Sequence, residues 1–204
     1  MRILLALLLI ALASFRANAQ ETLFSDNVEI GIYVAPEIKF TSNMDGDFDI
    51  MLGGKGALVF NKKLGIGLGG WVITPNADFI YDNLTINSNN RRNFGYGGLY
   101  FEYIDDSAGL IHFNVNCLFG AGVANLSEYI NEENKNAYYK NYSTESFGII
   151  EPGIQLEVNF YPWMKVALGG SYRIVYEYSD FLGYEKSDFE GFAGVLTFKF
   201  GFNF

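Results

Sequence analysis

The chain has one histidine, His112, and a set of carboxylates and amines spaced at alternate positions of apolar stretches. These are the residues whose types and spacing suit chemistry. The acids are Glu29, Glu37, Asp49, Glu102, Glu151, Glu157 and Glu177; the strong bases are Lys39, Lys55, Arg173 and Lys199. A histidine facing a carboxylate is the smallest general acid–base unit, and counting back through a short turn sets His112 opposite Glu102. Opposed charges lining a narrow space also suit a gate or a cation path. The plainer reading is a packed network of ion pairs, because an unpaired charge removed from water is costly. Glu37 falls diagonal to Lys55, Glu151 diagonal to Arg173, and Glu29 meets Lys199 where the first and last strands would close. On this reading the charges fill space and do no catalysis.

Two further motifs are weaker. "DGDFD" (45–49) places Asp45, Asp47 and Asp49 at alternate positions, as in a calcium loop. Ile50 stands where that loop needs glycine and Gly56 where it needs a bidentate Glu, so an Asp-Gly turn accounts for it. Cys117 is the only cysteine, which rules out an internal disulfide. No residue set calls for a metal or a cofactor.

Eight segments of strict alternation must position these side chains. They are 28–41, 48–60, 64–74, 94–104, 111–124, 148–160, 165–178 and the closing stretch that ends "VLTFKFGFNF". The fifth is the cleanest: Ile111, Phe113, Val115, Cys117, Phe119, Ala121 and Val123 alternate with His112, Asn114, Asn116, Leu118, Gly120, Gly122 and Ala124. Throughout, one face is large and apolar and the other small, polar or charged. The last segment puts Leu196, Phe198, Phe200, Phe202 and Phe204 on the apolar face. Eight strands enclose too little space for so many large apolar groups. Turning the barrel inside out, with apolar residues in lipid and small or polar ones inward, removes the conflict. The predicted fold is an all-β, eight-stranded antiparallel transmembrane barrel.

The connections alternate in length. "NKK", "DDSAG" and "YPWM" are short, while "SNMDGD", "PNADFIYDNLTINSNNRRN", "NLSEYINEENKNAYYKNYSTES" and "SDFLGYEKSD" are longer. Short turns mark the periplasmic end of such barrels and long loops the outside, so both termini are expected in the periplasm. The Tyr, Asn and Ser of the third long connection suit a contact surface. "FNKKLGIGLGG" (60–70) and "FYPWMKVALGG" (160–170) share a turn-then-glycine pattern expected of two similar hairpins. The start of the chain, "MRILLALLLIALASFRANAQ", reads as a secretory signal peptide over 1–19, cleaved after Ala19. Residues 20–27 then form a short periplasmic segment and 28–204 the barrel. A net charge of −9 argues against nucleic acid as a partner.

A closing strand of alternate aromatics ending on Phe, behind a signal peptide and eight strands with short and long connections, resembles the small bacterial outer-membrane barrels. These are the OmpA/OmpX-type, porin-like proteins with an outer membrane protein β-barrel domain. The resemblance covers the whole mature chain, and the loop composition is similar to members from Bacteroidota. It implies a place in the outer membrane of a Gram-negative cell, contact with outer-membrane lipid, and insertion by the barrel-assembly machinery. Phe200, Phe202 and Phe204 would be the assembly signal. An outer-membrane or extracellular protein would be met through the loops, and a narrow channel or hydrophobic-solute conduit is the alternative role. Barrel enzymes of this class need a His and Ser near the lipid or outer rim, or a loop histidine in the protease type; this chain lacks them. No peptidoglycan-binding domain follows the last strand, so wall tethering is not implied. Asp106-Ser107-Ala108 resembles a short O-glycosylation motif of Bacteroidota, but reads as a turn.

Overall fold

The computed structural model describes residues 28–42, 48–73, 90–105, 107–130, 138–176, 186 and 189–204. Eight strands run in chain order: β1 Ile30–Ser42, β2 Phe48–Phe60, β3 Leu64–Ile73, β4 Asn90–Ile104, β5 Ile111–Ile130, β6 Tyr138–Tyr161, β7 Met164–Tyr176 and β8 Gly191–Phe202. Each pairs antiparallel with its neighbour, and β8 returns to β1, closing the barrel without an edge. The predicted eight-strand antiparallel fold is the observed one.

Alternation in the sequence becomes alternation across the wall. Along β1, Tyr33, Ala35, Glu37 and Lys39 are buried inside, while Ile30, Ile32, Val34 and Phe40 are exposed outside. The same holds on β5, where His112 and Asn114 are inside and Phe113 and Val115 outside. The outward faces also carry Leu68, Leu99, Phe119, Ile154 and Leu168. Such a surface is unfavourable in water and suits hydrocarbon. With 10 residues in β3 and 13 in β7, the strands are long enough to cross a bilayer core, which takes about 9–11 tilted residues.

The β2–β3 turn is tight because Asn61 and Lys62 both adopt positive φ (51° and 57°), the two-residue hairpin geometry that follows the twist of the strands. Lys63 N closes it onto Phe60 O at 3.0 Å. The β6–β7 turn at Pro162 and Trp163 is different: neither residue has positive φ, and the register shifts between Asn159 and Tyr161. The echo between the two hairpins therefore does not extend to the turns. It survives in the glycines, where Gly69 and Gly169 face in and Gly70 and Gly170 face out. A small-residue row also crosses the outside of the wall, pairing Pro36 with Gly54, Gly54 with Gly70, Gly70 with Gly97, Gly97 with Ala121 and Ala121 with Gly148.

Two expectations are corrected here. Most of the third long connection is strand: β5 reaches Ile130, and β6 begins at Tyr138 and pairs with it as far as Ile130↔Tyr138. The hairpin thus continues past Gly148↔Tyr176, where the described pairing of β6 with β7 stops. Phe204 also leaves the apolar outer face. Asn203 has φ 54°, which ends the alternation after Phe202 and turns the Phe204 ring into the barrel, against Tyr33 at 5.5 Å.

Candidate functional site

The lumen is the place where chemistry-bearing side chains meet. It divides into an ionic part, from the short-turn end to the middle, and an aromatic part towards the long-connection end.

Near the short turns Lys199 of β8 is fully buried between Glu157 of β6 and Glu102 of β4, with its amine 2.5 and 2.9 Å from their carboxylates. Glu157 also faces His112 Nε2 at 3.1 Å, and the other ring nitrogen, Nδ1, lies 3.2 Å from Gly109 O. Asn114 and Tyr100 donate to Glu102. The neighbouring strand makes room for this group, because β3 has glycine at position 65, paired with Glu102, where a Cβ would strike the Glu102 side chain.

A second ionic group sits one layer deeper. Glu37 accepts from Lys55 at 2.8 Å and from Thr197 at 2.6 Å, and Lys39 lies 3.8 Å away. Lys39 reaches across the barrel to Glu151 at 2.6 Å, and Ser171 donates to the same carboxylate. Gln155 links Lys55 to Thr197, accepting from one and donating to the other. Buried amines and carboxylates held this way lose their hydration but regain it as charge-assisted hydrogen bonds. A cavity of about 10 Å³ remains beside Glu37, Lys39, Trp71, Glu151 and Gln155, room for about one water.

Lys39 also borders the aromatic part. Its amine lies 3.5 Å from the centre of the Trp71 ring and donates to the Tyr96 hydroxyl at 3.0 Å. Above it, Met51, Trp71, Phe94, Tyr96, Phe147, Ile149, Val175 and Phe189 form one buried cluster. Phe94 and Phe147 stack at 5.5 Å with planes 8° apart. Glycines again provide the space: a Cβ on Gly122 would meet the Phe147 ring, and one on Gly69 the Trp71 ring.

Of the residues singled out from the sequence, Glu37 and Lys55 meet as counted. Others do not. Glu29 is exposed at the turn end beside Lys62, 3.4 Å away, and does not meet Lys199. The closing register explains this: Val34 pairs with Phe200, so Lys199 lies well inside the wall while Glu29 lies beyond its end. His112 does not face Glu102, because the β4–β5 turn sets Ile104 against Asn114, so Glu102 pairs with Asn116 and His112 with Glu157. Glu151 takes Lys39 instead of Arg173. Arg173 donates from Nε to the Phe189 carbonyl at 2.6 Å and lies over the Phe94 ring at 4.8 Å. Glu177, Asp45 and Asp47 lie outside the described residues, as do residues 1–27 with their predicted signal. Asp49 is buried and accepts from Ile50 N. Ser107 of the glycosylation-like turn is buried. Asn159 holds that turn through the carbonyls of Ser107 and Gly109.

Two groups were missed. Lys165, the first residue of the seventh predicted segment but not among the charges counted there, is buried in the lumen mouth with its amine 4.8 Å from the centre of the Phe204 ring. Its parity with Ala167 was the available signal. The inward aromatics contradict a lumen face of small or polar residues alone; Trp71 stands on the glycine parity of "GIGLGGW", and Tyr96 on that of Tyr100 and Glu102. Among the described residues no group of three or more His, Cys, Asp and Glu is arranged to hold a metal.

A closed antiparallel barrel with an apolar exterior and a filled, charged interior defines a transmembrane β-barrel. No protein-family model matches the chain, and no curated protein matches its sequence. Solved structures do match its fold. A major outer membrane protein from Thermus thermophilus is 13% identical, with a TM-score of 0.50 over 84% of this chain and 99% of that one. Neisserial surface protein A is 9% identical, with a TM-score of 0.49 over 88% of this chain and 100% of that one. Ail, the attachment invasion locus protein of Yersinia pestis, is 10% identical, with a TM-score of 0.45 over 87% and 99%. The Thermus protein is the likeness at which the overall fold agrees: the chain has the fold of the small outer-membrane β-barrels.

Proposed function

We propose that the protein is a non-enzymatic barrel of the Gram-negative outer membrane, with a structural or interaction role in the cell envelope. Both ends of the barrel chain face the periplasm, and the projecting β5–β6 hairpin is offered outside the cell to a protein partner, in some settings as part of a larger outer-membrane complex. One observation carries this reading: the lumen is filled by paired charges and packed rings, while β5 and β6 stay paired as far as Ile130↔Tyr138, past Asn90↔Glu128 where the pairing of β4 with β5 ends. From Phe147 back to Tyr138, β6 adds ~30 Å along the strand at about 3.3 Å per residue. A filled barrel supplies a rigid mount, and a paired hairpin supplies a surface already ordered for binding. The aromatic stack of Tyr161, Trp163 and Phe200 marks the membrane interface at the turn end.

Purified protein in planar bilayers is expected to be silent. Pulldown from native membranes is expected to recover a partner with the intact chain and lose it when 127–141 are replaced by a short turn. Reproducible unitary currents from the wild type would replace this reading with the narrow channel, and a partner unaffected by the trimmed hairpin would remove the hairpin from it.

We also assign Phe200, Phe202 and Phe204 to recognition by the barrel-assembly machinery. Phe204 is buried in the folded barrel, so its recognition belongs to the unfolded chain. Phe204→Asp is expected to reduce the folded, heat-modifiable species on gels of unboiled membranes; unchanged yield and migration would refute the assignment.

A further inference from the structure

We propose that the aromatic part of the lumen is a binding cup for an aromatic group carrying a carboxylate, and that Phe189 of the chain occupies it as a built-in ligand. Phe189 lies outside the strands, just before β8, yet is 1% exposed. Its ring packs against Phe94 at 5.9 Å and Phe147 at 5.6 Å, completing a three-ring nest. Its carbonyl takes a 2.6 Å hydrogen bond from Arg173 Nε. An aromatic ring and an oxygen acceptor are thus recognised together, one by stacking and one by a buried guanidinium.

The electrostatics favour a charged acceptor over that carbonyl. Arg173 is 4% exposed, and among the described residues no carboxylate lies within 4.0 Å of it. Its Nη1 has the Met51 sulfur at 3.5 Å, a weak acceptor. A guanidinium in this setting gains more from a carboxylate than from a peptide oxygen, because both the charge and the forked geometry are matched. The turn that presents Phe189 is separately secured: Phe189 N donates to Lys186 O at 3.1 Å, and the Glu190 carboxylate accepts from Val175 N at 3.1 Å. The ring can therefore be truncated without removing the anchors of its turn. The cup is distinct from the ion pairs nearer the short turns, so its failure would leave the filled-lumen reading intact.

The sequence supplies the reporter. It has two tryptophans, and Trp71 belongs to the cup cluster, 5.5 Å from Tyr96. In a Trp163→Phe background, Trp71 fluorescence is titrated with 3-phenylpropionate and, as the uncharged control, 3-phenylpropanol. The Phe189→Ala barrel is expected to bind the acid saturably and at least about tenfold more tightly than the wild type, where the ligand must displace Phe189. It should also prefer the acid to the alcohol, and adding Arg173→Met should abolish that preference. No saturable change in folded Phe189→Ala, equal affinity in the two barrels, or a preference indifferent to Arg173 would each overturn the proposal. Should Phe189→Ala not give heat-modifiable barrel, Phe189→Leu, which loses the ring but keeps most of the volume, is titrated instead. The same ordering is expected there, and affinity equal to the wild type would overturn the proposal.

Discussion

The two parts of the lumen fill the same cylinder by opposite means. Around Lys199 the side chains are charged, the amines of Lys199, Lys39 and Lys55 are each held by more than one oxygen, and contacts reach between strands far apart in the chain. Around Phe147 the side chains are mostly rings and aliphatics in packing contact, with the Arg173 guanidinium among them. Both exclude water, but they should fail differently. An ion-paired layer is intolerant of losing one member, because the remaining charge is stranded. An aromatic layer responds to lost volume and tolerates a change of shape that keeps it. The difference shows that a filled barrel need not have a uniform core: the layers can differ in how strictly they specify their residues.

The sharpest test is Lys199→Ala, which removes the amine that bridges Glu102 and Glu157. A loss of about 3–5 kcal/mol is expected in urea unfolding of the barrel in lipid vesicles. A loss below about 1 kcal/mol would show that water enters this layer and would dissolve the contrast. The outer wall gives the next effect and a scale independent of both layers. Val115→Arg on the lipid face is expected to cost about 2–4 kcal/mol at the bilayer midplane; in a Cys117→Ser background, a membrane quencher should reach a probe at Val115 and not one at Asn116. Equal quenching would overturn the assignment of faces.

Coupling within the ionic part comes third. A double-mutant cycle on Glu37→Gln and Lys55→Met should give an interaction of about 0.5–3 kcal/mol, and strict additivity would mean the 2.8 Å pair contributes little. On the aromatic side Phe147→Leu should cost less than about 1.5 kcal/mol, since volume is largely kept. A loss as large as that of Lys199→Ala would show that ring geometry is as strictly specified as charge. The smallest effect belongs to the exposed pair of Lys62 and Glu29, where Lys62→Ala should change stability by about 0–1 kcal/mol.

The strands and their faces were legible because lipid and lumen impose opposite demands on neighbouring residues, as His112 and Phe113 show. That signal fades in 125–130 and 138–146, whose sequence does not keep the strict alternation of large apolar and small or polar residues, so they read as loop although β5 and β6 continue through them. Partners were legible only within a hairpin. Glu37 and Lys55 share one, but Lys39 meets Glu151 across the interior, 112 positions away in sequence. A four-residue difference in register across the β4–β5 connection sets Asn116, and not His112, against Glu102, while the β5–β6 register sets His112 against Glu157. Phe204 was misplaced because one left-handed residue, Asn203, breaks the parity, and asparagine is among the few residues that adopt that conformation readily.

The row from Pro36 to Gly148 gives the barrel an eccentric outline. Along β1 to β3 the wall there is little more than peptide backbone, with Val34 and Leu68 standing beside the furrow, while at the other end of the row the Tyr176 ring covers Gly148. On the β7–β8 side Leu168 and Phe192 project from it. Acyl chains beside the furrow lie closer to the barrel axis than those beside β7 and β8. Seen down that axis, the protein is a cam and not a wheel: rotating it in a crowded bilayer changes which neighbours it can approach and how closely.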